Sequence, residues 1–294
     1  GVTADIQNAG GDKAKFATIC DQMINSGVSV LMIVNLDSES GAACTKKAVA
    51  QGIKTVDYDR LTLGGSSEYY VSFDNVAVGT KIGEGLVTCM QKNGDTSGPV
   101  ALLNGSPTDN NATLFKQGYE TVIKDKGYEI AADQSVPDWD NTKAGTIFEQ
   151  MYTQANGNFV GVAAANDGLG GAAVSVLDKN GVAGKVPVTG QDATDEGLQR
   201  VLLGTQCMTV YKAIKAEADA AAALAVALAK GETPTVSGTV KDTETGKDVP
   251  AQLLEPQAIF PENVKDVVAD GFTTAAKLCT NAELKSACEK YGVS

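Results

Sequence analysis

With no histidine among its 294 residues, the side chains left to do chemistry in this chain are carboxylates, amides, amines, guanidiniums, hydroxyls and thiols. A Ser-His-Asp or Cys-His nucleophilic site is therefore excluded within the chain, as is a histidine-ligated zinc. The polar residues that remain recur in one place, directly after short apolar runs. Asp59 and Arg60 follow KTVDY, and Asp109, Asn110 and Asn111 follow VALLNGSPT. Trp139, the single tryptophan, lies in PDWDN after YEIAADQSV. Asn166 and Asp167 follow FVGVAAA, Gln191 and Asp192 follow VPVTG, and Lys212 follows MTVY. Carboxylates, amides, one guanidinium, one ammonium and one indole suit a neutral polyhydroxylated ring. Asp and Asn exchange hydrogen bonds with adjacent hydroxyls, Arg offers a planar fork of donors, and Trp covers an apolar C–H face. Each unpaired polar group costs about 1–3 kcal/mol, so such a set separates sugar epimers.

Each of these residues also has a structural reading. Asp109, Asn141 and Asp167 stand where helix caps belong. Asp59 and Arg60 could form an ion pair, Trp139 could be core, and Lys212 could be a solvated helix-start lysine. The functional reading rests on six such positions at six strand ends, the end at which open α/β sheets bind ligands.

The elements that must present them alternate. Strands are expected over Ala4–Gln7, Val28–Val34, Lys54–Tyr58, Tyr70–Phe73, Val100–Asn104, Glu129–Val136, Phe159–Ala165, Val186–Thr189 and Met208–Tyr211. Helices are expected over 11–26, 39–51, 74–92, 110–126, 141–155, 168–180, 194–202 and 212–230. This rhythm defines a doubly wound parallel α/β sheet, and near-continuous apolar runs such as VSVLMIV fit strands covered on both faces. The strands are too many for one ordinary sheet, so two lobes are expected. Candidate crossings lie near Asn104–Gly105, Tyr211–Lys212 and Gly246–Pro250.

Net charge is −12, from 24 basic and 36 acidic residues. That field repels a phosphate backbone, so nucleic acid is not an expected partner. No segment is apolar over the ~20 residues that a membrane span needs. None of the six cysteines forms a C-x-x-C pair, which removes zinc-ribbon and thioredoxin readings. Cys279 and Cys288 flank a short helical segment and could close a local disulfide, pointing to an oxidising compartment. Cys20 and Cys44 lie on consecutive helices and could pair. The sequence starts at Gly1 rather than Met, as a mature or trimmed product would.

The stretches GIKTVDYDR, YYVSFDNVAVG, NGSPTDNNATLFKQG, AANDGLGGAA, TGQDATDEGLQRVLLGTQCMTVYK and KDVPAQLLEP resemble the D-xylose-binding proteins of bacterial ABC importers, within the wider ribose- and galactose-binding family. The resemblance runs from about Asn8 to Phe272. It implies a type I periplasmic binding protein fold, with two doubly wound parallel-sheet lobes joined by a three-strand hinge and a monosaccharide held in the cleft. The lobes would comprise 1–104 with 212–248, and 105–211 with 249–294. The implied sugar contacts are Asp59 and Arg60 in YDR, Asp109 and Asn111 in SPTDNNA, and Trp139 as the stacking aromatic. Asn166, Asp192 and Lys212 complete the set. D-xylose is the first expected cargo and D-glucose the second. The protein would be an extracytoplasmic monomer, periplasmic or lipid-anchored, working with permease subunits and without a cofactor. The family opens with a strand, a polar loop and a long helix ahead of the segment matching TADIQNAGGD, and that unit is expected ahead of Gly1.

Three rivals carry less. The run Gly168-Leu169-Gly170-Gly171-Ala172-Ala173 satisfies G-x-G-x-x-A, with Asp192 about 20 residues on, but Asp167 would face the pyrophosphate and repel it. A glycosidase could draw paired carboxylates from Asp59, Asp109 and Asp192, yet the Asn-rich set favours holding over hydrolysis. A sugar-sensing regulator would need a DNA-binding headpiece and a basic surface.

Overall fold

The computed structural model describes residues 2–294, in which the apolar runs become strands and the periodic segments become helices. In chain order the first elements are α1 Lys13–Asn25, β1 Val30–Ile33, α2 Ser38–Ala50, β2 Lys54–Tyr58 and β3 Tyr69–Phe73. Next come α3 Asn75–Lys92, β4 Pro99–Asn104, α4 Asn110–Asp125, β5 Glu129–Ser135, α5 Asn141–Gln154 and β6 Gly161–Ala164. Then follow α6 Asp167–Lys179, α7 Asp195–Leu203, β7 Thr209–Tyr211, α8 Ile214–Ala229, β8 Gly238–Lys241 and β9 Asp248–Leu254. The chain ends with β10 Gln257–Ile259, α9 Val264–Ala269, α10 Ala275–Leu278 and α11 Ala282–Tyr291. Short polar side chains start many of the helices. Asp12, Asp37, Asp140, Asn166, Thr194 and Asn281 each accept from first-turn N–H groups, satisfying donors that have no partner within the helix.

The chain divides into two compact units. The first comprises Gly1–Asp74, Thr108–Asn111 and Ile214–Leu254. Its sheet has the order β1-β2-β3-β9-β8, parallel throughout except for the β8–β9 pair. Val56, Tyr69 and Val71 pack with Ala221, Leu224 and Leu228 of α8. Phe16, Leu31, Ile33, Ala48 and Ile53 form a second cluster, in which the Cys20–Cys44 disulfide joins α1 to α2.

The second unit comprises Asn75–Pro107, Ala112–Ala213 and Glu255–Ser294. It holds the parallel sheet β5-β4-β6 and the antiparallel pair β7–β10. Leu103, Phe148, Val162, Leu169 and Leu177 centre one core, and Leu198, Val201, Ile259, Val264 and Leu284 another. Cys89–Cys207 ties α3 to the segment entering β7, and Cys279–Cys288 closes α10 onto α11. Among the described residues, no helix is long and apolar enough to cross a membrane.

Four sequence expectations change. Ala4–Gln7 forms no strand; it has no ladder partner among the described residues, and Ile6 is 89% exposed. Val186–Thr189 makes only isolated bridges, because Pro187 supplies a carbonyl to Val162 but has no N–H to return. The expected α/β fold with parallel sheets holds, with β8 and β10 entering antiparallel. The first crossing falls at Asp74–Asn75, well before Asn104–Gly105. β4 is the central strand of β5-β4-β6, so residues 75–104 group with the second unit rather than with the lobe 1–104. Likewise β9 pairs with β3 in the first unit, which moves the last crossing from Gly246–Pro250 to Leu254–Glu255.

One close approach fixes where α4 lies. A Cβ on Gly79 of α3 would stand 2.0 Å from the Phe115 carbonyl oxygen, so only glycine admits α4 at this distance. Gly79→Val should therefore force the helices apart and cost about 1–3 kcal/mol of stability. Urea unfolding checks this as a lower midpoint with an unchanged slope.

Candidate functional site

In the first unit β2 ends at Tyr58, and the chain turns at once through Asp59, whose φ of 62° is unusual for a side-chain-bearing residue. The surroundings hold that turn. The Asp59 carbonyl accepts from the Tyr70 hydroxyl at 3.1 Å, the Ser72 hydroxyl at 2.8 Å and the Asn111 amide at 2.8 Å. The Asn35 side chain donates to the Arg60 carbonyl at 3.2 Å and to the Thr62 hydroxyl at 2.8 Å. Arg60 Nε then lies 3.2 Å from Asp109 Oδ2 and 3.9 Å from Asp59 Oδ2. Asp109 is 3% exposed, and its other oxygen accepts from the Asn111 N–H at 2.9 Å. Asp109 is thus a cap-like acceptor and an ion-pair partner at once. All four expected residues of this unit, Asp59, Arg60, Asp109 and Asn111, form one bonded cluster.

In the second unit, Trp139 follows β5 in a turn where Asp138 and Trp139 have φ of 58° and 56°. Its indole packs directly against Gly105, just after β4, since a Cβ there would meet the ring at 2.0 Å. Only glycine permits that seat. The Phe115 ring meets the indole edge-on at 6.5 Å between centroids. Lys212 Nζ stands 5.9 Å from the centroid of the same Phe115 ring and 3.4 Å from Asp192 Oδ1. Asp192 itself has φ of 97°. Asn166 caps α6, its side chain accepting from the Leu169 N–H at 2.9 Å. Asp192, Lys212 and Trp139 are therefore linked through Phe115, while Asn166 stands at the start of α6.

Beneath each cluster lies a buried carboxylate. Asp57, fully buried in β2, accepts from the Thr62 N–H and hydroxyl, both at 2.7 Å. Asp167, fully buried at the start of α6, accepts from Gln206, Thr209 and Thr194. Burial pushes Asp57 up to about 6 against the pull of those hydrogen bonds. Burial, followed by the Asp192 charge, does the same for Asp167, also to about 6. Among the described residues, no group of three or more His, Cys, Asp or Glu side chains could hold a metal ion. Sequence reasoning passed over Asp57, Tyr70, Gly105 and Phe115. The readable signal for Asp57 was a carboxylate inside the strand KTVDY, beside the buried Thr55 and Val56.

Both α/β units end strands in turns that carry carboxylates and amides, with the Arg60 guanidinium in the first unit and the Trp139 indole in the second. The sequence profile described as "Periplasmic binding protein domain" matches residues 1–233, and the chain belongs to that family, with the type I fold. It is 37% identical to the D-xylose-binding periplasmic protein of Escherichia coli K12, covering 95% of this chain and 84% of that protein. It is 36% identical to the protein of the same description from Haemophilus influenzae, covering 93% and 82%. A solved ABC transporter solute-binding protein from Clostridium phytofermentans with bound β-D-glucose superposes with a TM-score of 0.83. It is 26% identical, with 93% of this chain and 90% of that one covered.

The two buried carboxylates carry a pH signature. Their folded values lie above the ordinary 3.8, so folding takes up protons between about pH 4 and 6. The stability they contribute is full below about pH 4 and is lost as pH rises through 6. Unfolding of wild type and an Asp57→Asn/Asp167→Asn variant should show wild type gaining on the variant as pH falls from about 7 to about 4.5. A difference independent of pH contradicts the assignment.

Proposed function

We propose that this chain is the extracytoplasmic solute-binding component of an ABC sugar importer, a monomer that holds one monosaccharide unchanged and delivers it to permease subunits. It is a binding protein and not an enzyme. D-xylose is the first candidate cargo and D-glucose the second. Arg60, with Asp59, Asp109 and Asn111, reads hydroxyls from the first unit. Asn166, Asp192 and Lys212 read them from the second, and the Trp139 indole covers the apolar face of the ring. The observation that carries this reading is the Arg60–Asp109 pair at 3.2 Å, built on a strained turn in a chain 37% identical to a D-xylose-binding protein. A partly buried guanidinium held by carboxylates, with donors to spare, offers hydroxyls a fixed fork at little reorganisation cost. No cofactor and no nucleic acid enter the reading; the charge of −12 opposes the latter.

Calorimetric titration with D-xylose, D-glucose, D-ribose and D-galactose tests it. The expected result is saturable one-to-one binding of D-xylose or D-glucose, reduced by at least about a hundredfold, roughly 2.7 kcal/mol, in Asp192→Ala and Trp139→Ala. Silence toward all four sugars, or variants that bind as wild type does, refutes it.

A further inference from the structure

The turn Gly190–Thr194 does something unusual for a chain with side chains. Asp192 and Ala193 are both at positive φ, 97° and 50°. Such backbone persists only where its surroundings over-determine it, and here three successive N–H groups are held in place. The Asp192 N–H donates to the Val210 carbonyl at 2.8 Å. The Ala193 N–H donates to the Thr209 hydroxyl at 3.2 Å, and that hydroxyl donates onward to Asp167 Oδ1 at 2.8 Å. The Thr194 N–H donates directly to Asp167 Oδ2 at 2.8 Å. Asp167 closes the circuit from its own side: its N–H donates to the Gln191 carbonyl at 2.9 Å, and Arg200 donates to its carbonyl at 2.6 Å. Gln206 donates to Oδ1 at 2.7 Å.

We propose that Asp167 is a positioning residue for sugar binding, fixing the strained Gly190–Thr194 turn so that the Asp192 carboxylate and the neighbouring Asn166 are preset for the ligand. The proposal rests on the sugar-binding reading above. Asp167 is fully buried; it acts through the turn. A carboxylate is required because both oxygens accept. An amide in its place would turn a donor toward either the Thr194 N–H or the Gln206 amide, leaving two buried donors face to face. The same logic gives the role a signature that bulk packing lacks. The charged groups facing Asp167 are Asp192 from the turn and Arg200 from α7; Glu196 in turn faces Arg200, and Lys212 pairs with Asp192. Protonating Asp167 removes acceptor capacity from the turn, so sugar affinity is full above about pH 6 and falls below it.

The test is calorimetric titration of wild type, Asp167→Asn and Thr209→Val with D-xylose and D-glucose between about pH 5 and 8, with melting temperatures alongside. Thr209→Val severs the relay to Ala193 with little change of shape, so it reports even where Asp167→Asn does not fold. Wild type should lose at least about tenfold in affinity as pH falls through 6. Asp167→Asn, folded, should bind at least about tenfold more weakly than wild type at pH 7.5 and show a flat profile. Thr209→Val should weaken binding several-fold. Wild-type affinity in Asp167→Asn or in Thr209→Val, or a wild-type profile flat from pH 8 to 5, overturns the proposal while leaving the sugar reading intact. A wild type that binds no sugar at any pH overturns both.

Discussion

A carboxylate withdrawn from water must find donors, and in each unit of this protein those donors include a backbone N–H of the turn that carries the proposed sugar contacts. Asp57 takes the Thr62 N–H and hydroxyl, and Asp167 takes the Thr194 N–H together with Thr209 and Gln206. Neither charge is solvated by water to any useful extent, since both side chains are fully buried. The exchange is mutual: the turn pairs the charge, and the charge holds the turn. The arrangement costs the folded state something, which is the usual consequence of shaping a protein for a ligand rather than for stability alone.

Everything else in the two units brings such turns to one kind of place. Parallel strands end where the chain must leave the sheet, and β2, β4, β5 and β6 each pass into a polar turn at that end. Backbone strain collects there, at Asp59, Asp138, Trp139, Asp192 and Ala193. Helices then restart the chain from short polar caps. Close packing sets the remaining distances. Gly79 lets α4 come near enough to α3 to place Phe115, and Phe115 meets both Trp139 and Lys212.

The alternation of strands and helices was legible because apolar runs and helical periods differ in length and spacing. Strands Lys54–Tyr58 and Tyr69–Phe73 and the helix Asn110–Asp125 sit within a residue of where their patterns put them. The polar inventory was legible for the same reason: a residue directly after a parallel strand is at the ligand end of a sheet whatever the strand order. Unit boundaries were harder to read. Nothing local in YYVSFDNVAVG marks Asp74–Asn75 as a crossing, because sheet membership of β4 is decided by its partners β5 and β6. Ala4–Gln7 shows the limit of pattern from the other direction: a sequence suited to a strand forms one only beside a neighbour. Asp167 was hidden by its type, since an Asp just after a strand reads as a cap or a ligand contact before it reads as a buried anchor, and Asp57 was passed over inside β2.

The most direct test of this account is a pair of crystal structures of the protein, sugar-free and with D-xylose or D-glucose bound, compared one unit at a time. The account predicts that the Thr62 N–H to Asp57 and Thr194 N–H to Asp167 hydrogen bonds, and the positive φ angles at Asp59 and Asp192, are the same in both. Turns that adopt these conformations only when sugar is present would contradict it, because the recognition groups would then be set by the ligand and not by the buried carboxylates.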